Sequence, residues 1–212
     1  MTTMMRRAVK KVRRKAHYHH GELREALIGA TRQLVEERGA ENFTLADACR
    51  VAGVTTAAPY RHFRGKQEIL EEIASRGFDE LRKQSMAAVA AKGEGTLNAI
   101  IAMGQAYVAF ATKQSGVFRL MFGQESSLKK AEHVLGTGQA CFAHVIDQVA
   151  LYCERNKVRG DAQQIALALW TFVHGAASLL IDHDYDAVAP QIDVNRLIAS
   201  ATPGLLAPTL RS

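Results

Sequence analysis

Residues 43–63 read FTLADACRVAGVTTAAPYRHF, and this stretch decides the fold. Thr44 stands where a helix can begin, because a hydroxyl there accepts from an otherwise free backbone N–H of the first turn. Asp47, three residues on, predicts a capping box with Asp in place of the usual Glu. A short helix through Ala48, Cys49 and Val51 then stops at Ala52-Gly53. Val54 is an apolar plug, and Thr55 is placed to cap a further helix from Thr56 to Phe63. Two short helices meet across the turn at Gly53, with small Ala48, Cys49 and Ala52 at the crossing. This is helix-turn-helix geometry, in which the first helix braces across a DNA backbone and the second enters the major groove.

The residue types after the turn suit that task. Thr55 and Thr56 would sit at free N–H groups, where the helix dipole favours a phosphate. Ala57 and Ala58 are short enough for close approach and for contact with a thymine methyl. Tyr60 and His62 can donate to phosphate oxygens. Lys66 would oppose the dipole of the next helix unless a phosphate compensates it. Pro59 removes one early donor, at a cost of one intrahelical bond at most, and stiffens the reading helix. With the cap Thr44, these nine positions form the candidate DNA-contacting set.

Working outward, residues 1–16 carry seven basic side chains and no acid. Such a block repels itself, and beside the motif it reads as a disordered arm for phosphates or a minor groove. From Tyr18, the apolar positions Leu23, Ala26, Leu27, Ala30, Leu34 and Val35 recur at helical steps, with Gly39 as a C-terminal stop. The charge is uneven. Residues 1–66 hold 14 Lys and Arg against 6 acids, and the remainder holds 13 against 15. A basic head on a slightly acidic body points to a polyanion partner for the head alone. The predicted organisation is an arm over 1–16, a head over 17–66 and a helical body over 67–212.

The body reads as helical throughout. After a helix marked by Ile69, Leu70, Ile73, Phe78 and Leu81, helices are expected near 96–113, 116–122, 127–155, 161–182 and 193–201. Gly93-Glu94-Gly95, Gly116, Gly160 and the acidic stretch 182–186 are the punctuation, and Gly136 and Gly138 are candidate breaks in the third of these. No unbroken apolar run reaches the roughly eighteen residues of a membrane span, and no secretory signal is read at the start. Cys49, Cys141 and Cys153 form neither a disulfide framework nor a C-x-x-C zinc signature, and read as buried thiols in a reducing cytoplasm.

The motif resembles the TetR family of bacterial regulators, through Thr44, Ala48, Cys49, Ala52, Gly53, Val54, Thr55, Tyr60, Phe63 and Lys66. Two positions depart: Ala48 replaces a larger aliphatic and Cys49 an alanine. Neither adds bulk at the crossing. Trp170, His174 and Gly175, the opening YHHGELR (residues 18–24), AAPYRHF and FRLMF (residues 118–122) resemble the branch whose ligand domain is named for Trp, His and Gly. The resemblance implies an all-α chain: an N-terminal three-helix DNA-binding domain with a helix-turn-helix, joined to a helical ligand-binding and dimerisation domain. It also implies a cytoplasmic homodimer, joined through helices near 161–182 and 193–201. Such a dimer would bind a near-palindromic operator in double-stranded DNA, as a repressor released by a small-molecule effector. Candidate effector contacts are Met103, Tyr107, Phe110, Phe118, Met121, Phe122, Phe142, Trp170 and His174, all on apolar helices.

Other constellations are weaker. His17, His19 and His20 flank the arm without a cysteine and suit phosphate contact better than metal. Asp182, His183, Asp184 and Asp186 lack the glycine and terminal glutamate of a calcium loop. Ser178 near His174 is a helical pair with no nucleophile turn. No Walker or dinucleotide fingerprint is present, so no enzyme activity, cofactor or metal is expected. The alternative is an architectural DNA binder driven by the arm, without sequence preference.

Overall fold

A computed structural model describes residues 20–123 and 128–207. The basic arm, His17 and His19 lie outside the described residues. Every regular element among the described residues is helical: α1 (His20–Arg38), α2 (Leu45–Ala52), a 3-10 turn (Pro59–Arg61), α3 (Lys66–Lys92), α4 (Leu97–Lys113), α5 (Ser115–Phe122), a second 3-10 turn (Leu128–Lys130), α6 (Glu132–Asn156), α7 (Ala162–Ile181), α8 (Asp184–Val188) and α9 (Val194–Leu206). Gly39 ends α1 in the left-handed region at φ +78°, as its position predicts.

The 27-residue α3 is the spine, about 40 Å long at helical rise. Its first turns bury Ile69, Leu70 and Ile73 in the head, against Leu27, Leu34 and Val35 of α1 and Ala48 and Cys49 of α2. The same core continues into the body through Phe110, Val117 and Phe118. At the far end, Val89 joins Ile100, Val149, Ile165 and Leu206 in a second cluster. The boundary expected at 66/67 therefore falls on the first turn of a helix that serves both regions.

Several expectations are corrected. α6 runs unbroken through Gly136 and Gly138, and a Cβ at position 138 would lie 3.5 Å from the Phe78 ring, in ordinary contact. Gly116 lies within α5 rather than stopping a helix, and its lack of a side chain lets α5 touch the backbone of α1. α9 extends through Pro203 to Leu206, which is only 1% exposed and anchors the last turn in the core. Cys141 is only partly buried, unlike Cys49 and Cys153. α7 is, by length and composition, apolar enough to cross a membrane, although no unbroken apolar run announced it. In the fold it packs on α4, α6 and α9 through Ile165, Leu169, Val173 and Ala177, leaving Leu167 and Leu179 each 41% exposed.

Candidate functional site

The helix-turn-helix is tied at both ends of α2. Thr44 Oγ1 accepts from the Asp47 N–H at 3.2 Å, and the Thr44 N–H donates to Asp47 Oδ2 at 2.8 Å, which closes the predicted capping box. The Thr44 hydroxyl also donates to that carboxylate at 2.6 Å. These bonds, with Arg50 beside it, hold the Asp47 carboxyl down at about 2. At the other end Gly53 takes φ +70°, and the Val54 N–H reaches back to Cys49 O at 2.9 Å. A side chain at Gly53 would be strained by that φ, so the turn needs glycine.

Beyond the turn the expected helix from Thr56 to Phe63 does not form. The chain makes i→i+3 bonds, Ala58 N–H to Thr55 O at 3.0 Å and His62 N–H to Pro59 O at 2.9 Å, and only Pro59–Arg61 is a 3-10 turn. The physical reason is Pro59. In a helix capped at Thr55, residue 59 would donate the first α-type bond, and proline has no N–H to donate. The first turn is left without its closing α-type bond, and i→i+4 bonding resumes only with Phe63 N–H to Pro59 O at 2.9 Å. Thr55 accordingly caps no helix; its carbonyl closes a turn instead.

This change re-sorts the candidate contacts. Thr55, Thr56 and Ala57 are exposed, and Tyr60 is 66% exposed at the tip. Ala58 and His62 are half-buried, and Pro59 is fully buried and offers no surface to DNA. Thr44 is exposed, with its hydroxyl engaged by Asp47. Lys66 needs no phosphate: its Nζ donates to Phe43 O at 2.7 Å and sits 4.0 Å from the Phe43 ring centroid. That carbonyl and ring compensate the charge at the start of α3. Arg61 and Arg64, exposed on either side of His62, are absent from the set expected from the sequence. Their charge was the available signal, but a continuous helix gave no reason to prefer them.

The body holds a cavity of about 380 Å³, open on one side, between α3, α4, α5, α6 and α7. Of the expected effector contacts, Met103, Tyr107, Met121, Phe122, Phe142 and Trp170 line it. Phe110, Phe118 and His174 do not. Phe110 is fully buried core, and Phe118 and His174 stand behind the wall, their rings 5.4 Å apart. The sequence reading missed Phe78, Leu81 and Ser85 of α3, because an amphipathic pattern does not separate cavity-facing from core-facing residues.

Behind the wall, Trp170 Nε1 donates to the Tyr107 hydroxyl at 3.2 Å, and that hydroxyl lies 2.7 Å from His174 Nδ1. The Tyr107 oxygen accepts from Trp170, and the Tyr107–His174 bond forms either with the phenol donating to Nδ1 or with Nδ1–H donating to the phenol oxygen, according to the imidazole tautomer. Burial pushes the Tyr107 pKa upward and the His174 pKa downward, which keeps both groups neutral and suits this arrangement.

One short helix touches both the cavity and the head. α5 contributes Met121 and Phe122 to the cavity. Its N-terminus is gripped by Glu36 of α1, whose carboxylate accepts from Gly116 N–H at 2.8 Å and Val117 N–H at 3.0 Å. An anion at the positive end of a helix is favourable. Beside it, Glu80 of α3 accepts from Arg32 of α1 at 2.6 Å and from Gln114 at 2.7 Å. Burial would raise the Glu80 pKa, but these bonds and the Arg32 charge hold it below the ordinary carboxylate range. The Arg32–Glu80 pair is about a third exposed on each side, so it orients the head more than it stabilises the fold.

Residues 27–73 match the family described as bacterial regulatory proteins, tetR family, and residues 100–201 match the tetracyclin repressor-like C-terminal domain. The chain is 28% identical over 133 residues to an HTH-type transcriptional regulator of Haemophilus influenzae, covering 61% of this chain and 62% of that protein. It is 33% identical over 66 residues to the HTH-type transcriptional regulator BetI of Agrobacterium fabrum, covering 31% and 32%. These alignments span less than two thirds of either relative's length. A solved structure, of a protein with unknown function from Rhodococcus sp. RHA1, superposes with a TM-score of 0.78 at 28% identity, over 91% of this chain and 97% of that one. Trp170, His174 and Gly175 fall inside the C-terminal match.

Proposed function

The chain belongs to the TetR family of bacterial regulatory proteins, and from that premise we propose that it is a homodimeric, sequence-specific DNA-binding repressor released by a small-molecule effector. The observation that carries this reading is the head: a doubly tied α2, a glycine turn, and an exposed tip bearing Thr55, Thr56, Ala57 and Tyr60 beside Arg61 and Arg64. Tyr60 and the two arginines contact phosphates, while Thr56 and Ala57 approach base edges.

Two copies pair through α7 and α9. Leu179 of α7 (41% exposed), together with Val188 (80% exposed) and Ile192 (37% exposed), is left open by a single chain. Covering these side chains with a second copy removes apolar area from water and places the two heads about one DNA turn apart, roughly 34–36 Å. An effector in the cavity presses on Met121 and Phe122, and α5 carries the displacement through Gly116 to α1. Head spacing then no longer matches the operator, and effector and DNA oppose each other by linkage.

Selection of the purified protein on random duplexes at near-physiological salt tests the reading. An enriched inverted repeat supports it. Bound duplexes with no common sequence, and binding lost on removal of residues 1–16, would replace it with the architectural alternative.

A further inference from the structure

The cavity has an unusual polar inventory. No Asp, Glu, Lys, Arg or His lines it among the described residues. A charged group taken inside would lose its hydration without gaining a partner, which is a cost of several kcal/mol in general. The polar groups on the wall are mostly committed. The Tyr107 hydroxyl is occupied by Trp170 and His174, and the Thr202 hydroxyl donates to Ile198 O at 2.7 Å. Burial pushes the Cys141 thiol up to about 11, so it stays neutral and weakly polar. Gln139 is exposed, with Leu135 and Leu167, and marks the mouth between α6 and α7.

Ser85 is different. It lies on α3 at the wall, 8% exposed; its Oγ is closed off in the present rotamer and has no hydrogen-bond partner, so a turn about χ1 brings it to a ligand. A helical serine ordinarily satisfies its hydroxyl by donating to the carbonyl one turn back. A buried hydroxyl left without that bond carries a desolvation penalty that a ligand acceptor would relieve.

We propose that the cavity takes a neutral, largely apolar molecule carrying one hydrogen-bond acceptor, such as a ketone or ester carbonyl, to which Ser85 donates. The inference rests on reading the cavity as an effector site. At interior packing density the volume holds roughly fifteen non-hydrogen atoms. The aromatic walls of Phe122, Phe142 and Trp170 and the adaptable Met103 and Met121 fit the apolar part. Ser85 is the specificity-determining group, and it excludes nothing by charge; the exclusion of anions comes from the rest of the wall.

Trp170, the single tryptophan of the chain, lines the cavity, so its emission reports entry directly. The probes are 2-nonanone, 2-undecanone and 2-tridecanone, with decanoate as an anion of similar length. The expected result is saturable binding of at least one ketone and binding of decanoate about a hundredfold weaker at neutral pH. Ser85→Ala should weaken the best ketone about tenfold, with unchanged circular dichroism and unchanged DNA affinity. Equal or tighter binding of decanoate overturns the proposal, as does no ketone binding or an unaffected Ser85→Ala variant. DNA release is scored separately. A ketone that binds through Ser85 without displacing DNA leaves the ligand class standing and defeats the effector-released repressor.

Discussion

Gly116→Ala sets two effects of opposite sign against each other. Alanine favours a helix over glycine by about 1 kcal/mol, so propensity alone predicts a more stable α5. The structure predicts the reverse. A Cβ at position 116 would lie 2.7 Å from Glu36 Cα and 2.9 Å from the Val35 carbonyl carbon, and closer still to the Val35 oxygen. These are backbone atoms of α1, so no rotamer can yield, and the helices must separate. Separation also stretches the bonds from Gly116 and Val117 N–H to Glu36. Overpacking and weakened charge-assisted bonds together cost about 2–4 kcal/mol, which exceeds the propensity gain. The thermal midpoint should fall by about 5–10 °C for a chain of this size. Denaturant melts give the free energy, and Gly136→Ala is the control. A Cβ at position 136 would meet no atom within 4 Å, so this replacement should gain about 0.5–1 kcal/mol. Because Gly116→Ala moves α5 as the effector is proposed to, affinity for the selected duplex should drop about tenfold while the protein stays folded. Parental stability and parental DNA affinity in Gly116→Ala would refute a tight α1–α5 seam and the route built on it.

The other predictions concern the head and the pH response. Thr44→Ala removes the cap hydroxyl that both accepts from and donates to Asp47, and should cost about 1 kcal/mol in denaturant melts, with no change only if the box is open in solution. Tyr60→Ala should weaken DNA binding and leave the melting temperature unchanged, since the ring is 66% exposed. Lys66→Ala should instead lower stability by about 1–2 kcal/mol by stranding Phe43 O; a variant that lost only DNA affinity would return Lys66 to phosphate contact. Burial lowers the pKa of both His144 and His174. The unfolded chain therefore binds their protons first, so stability is full above about pH 6.5 and declines as pH falls below it. Thermal melts from about pH 7.5 to 5.0 should show that decline, and His174→Gln should flatten part of it.

Much of this protein was determined by local chemistry, and local chemistry is legible in a sequence. The capping box of Thr44 and Asp47 and the left-handed Gly53 and Gly39 depend on residues at most a few positions apart. The helical class follows from apolar periodicity for the same reason. The segment after the turn departs from expectation because two local signals conflict there. Thr55 offers a cap, Pro59 withholds the first helical bond, and the missing donor prevails. What only the tertiary structure decided are pairings between distant elements. Lys66 is answered by Phe43 O, 23 residues away, and Gly116 is a close approach to α1 rather than a stop. The apolar stripes of α4 and α5 announced Phe110, Phe118 and Phe122 alike, yet only Phe122 faces the cavity. A cavity is space that several packed helices leave unfilled, and no single helix carries a record of it.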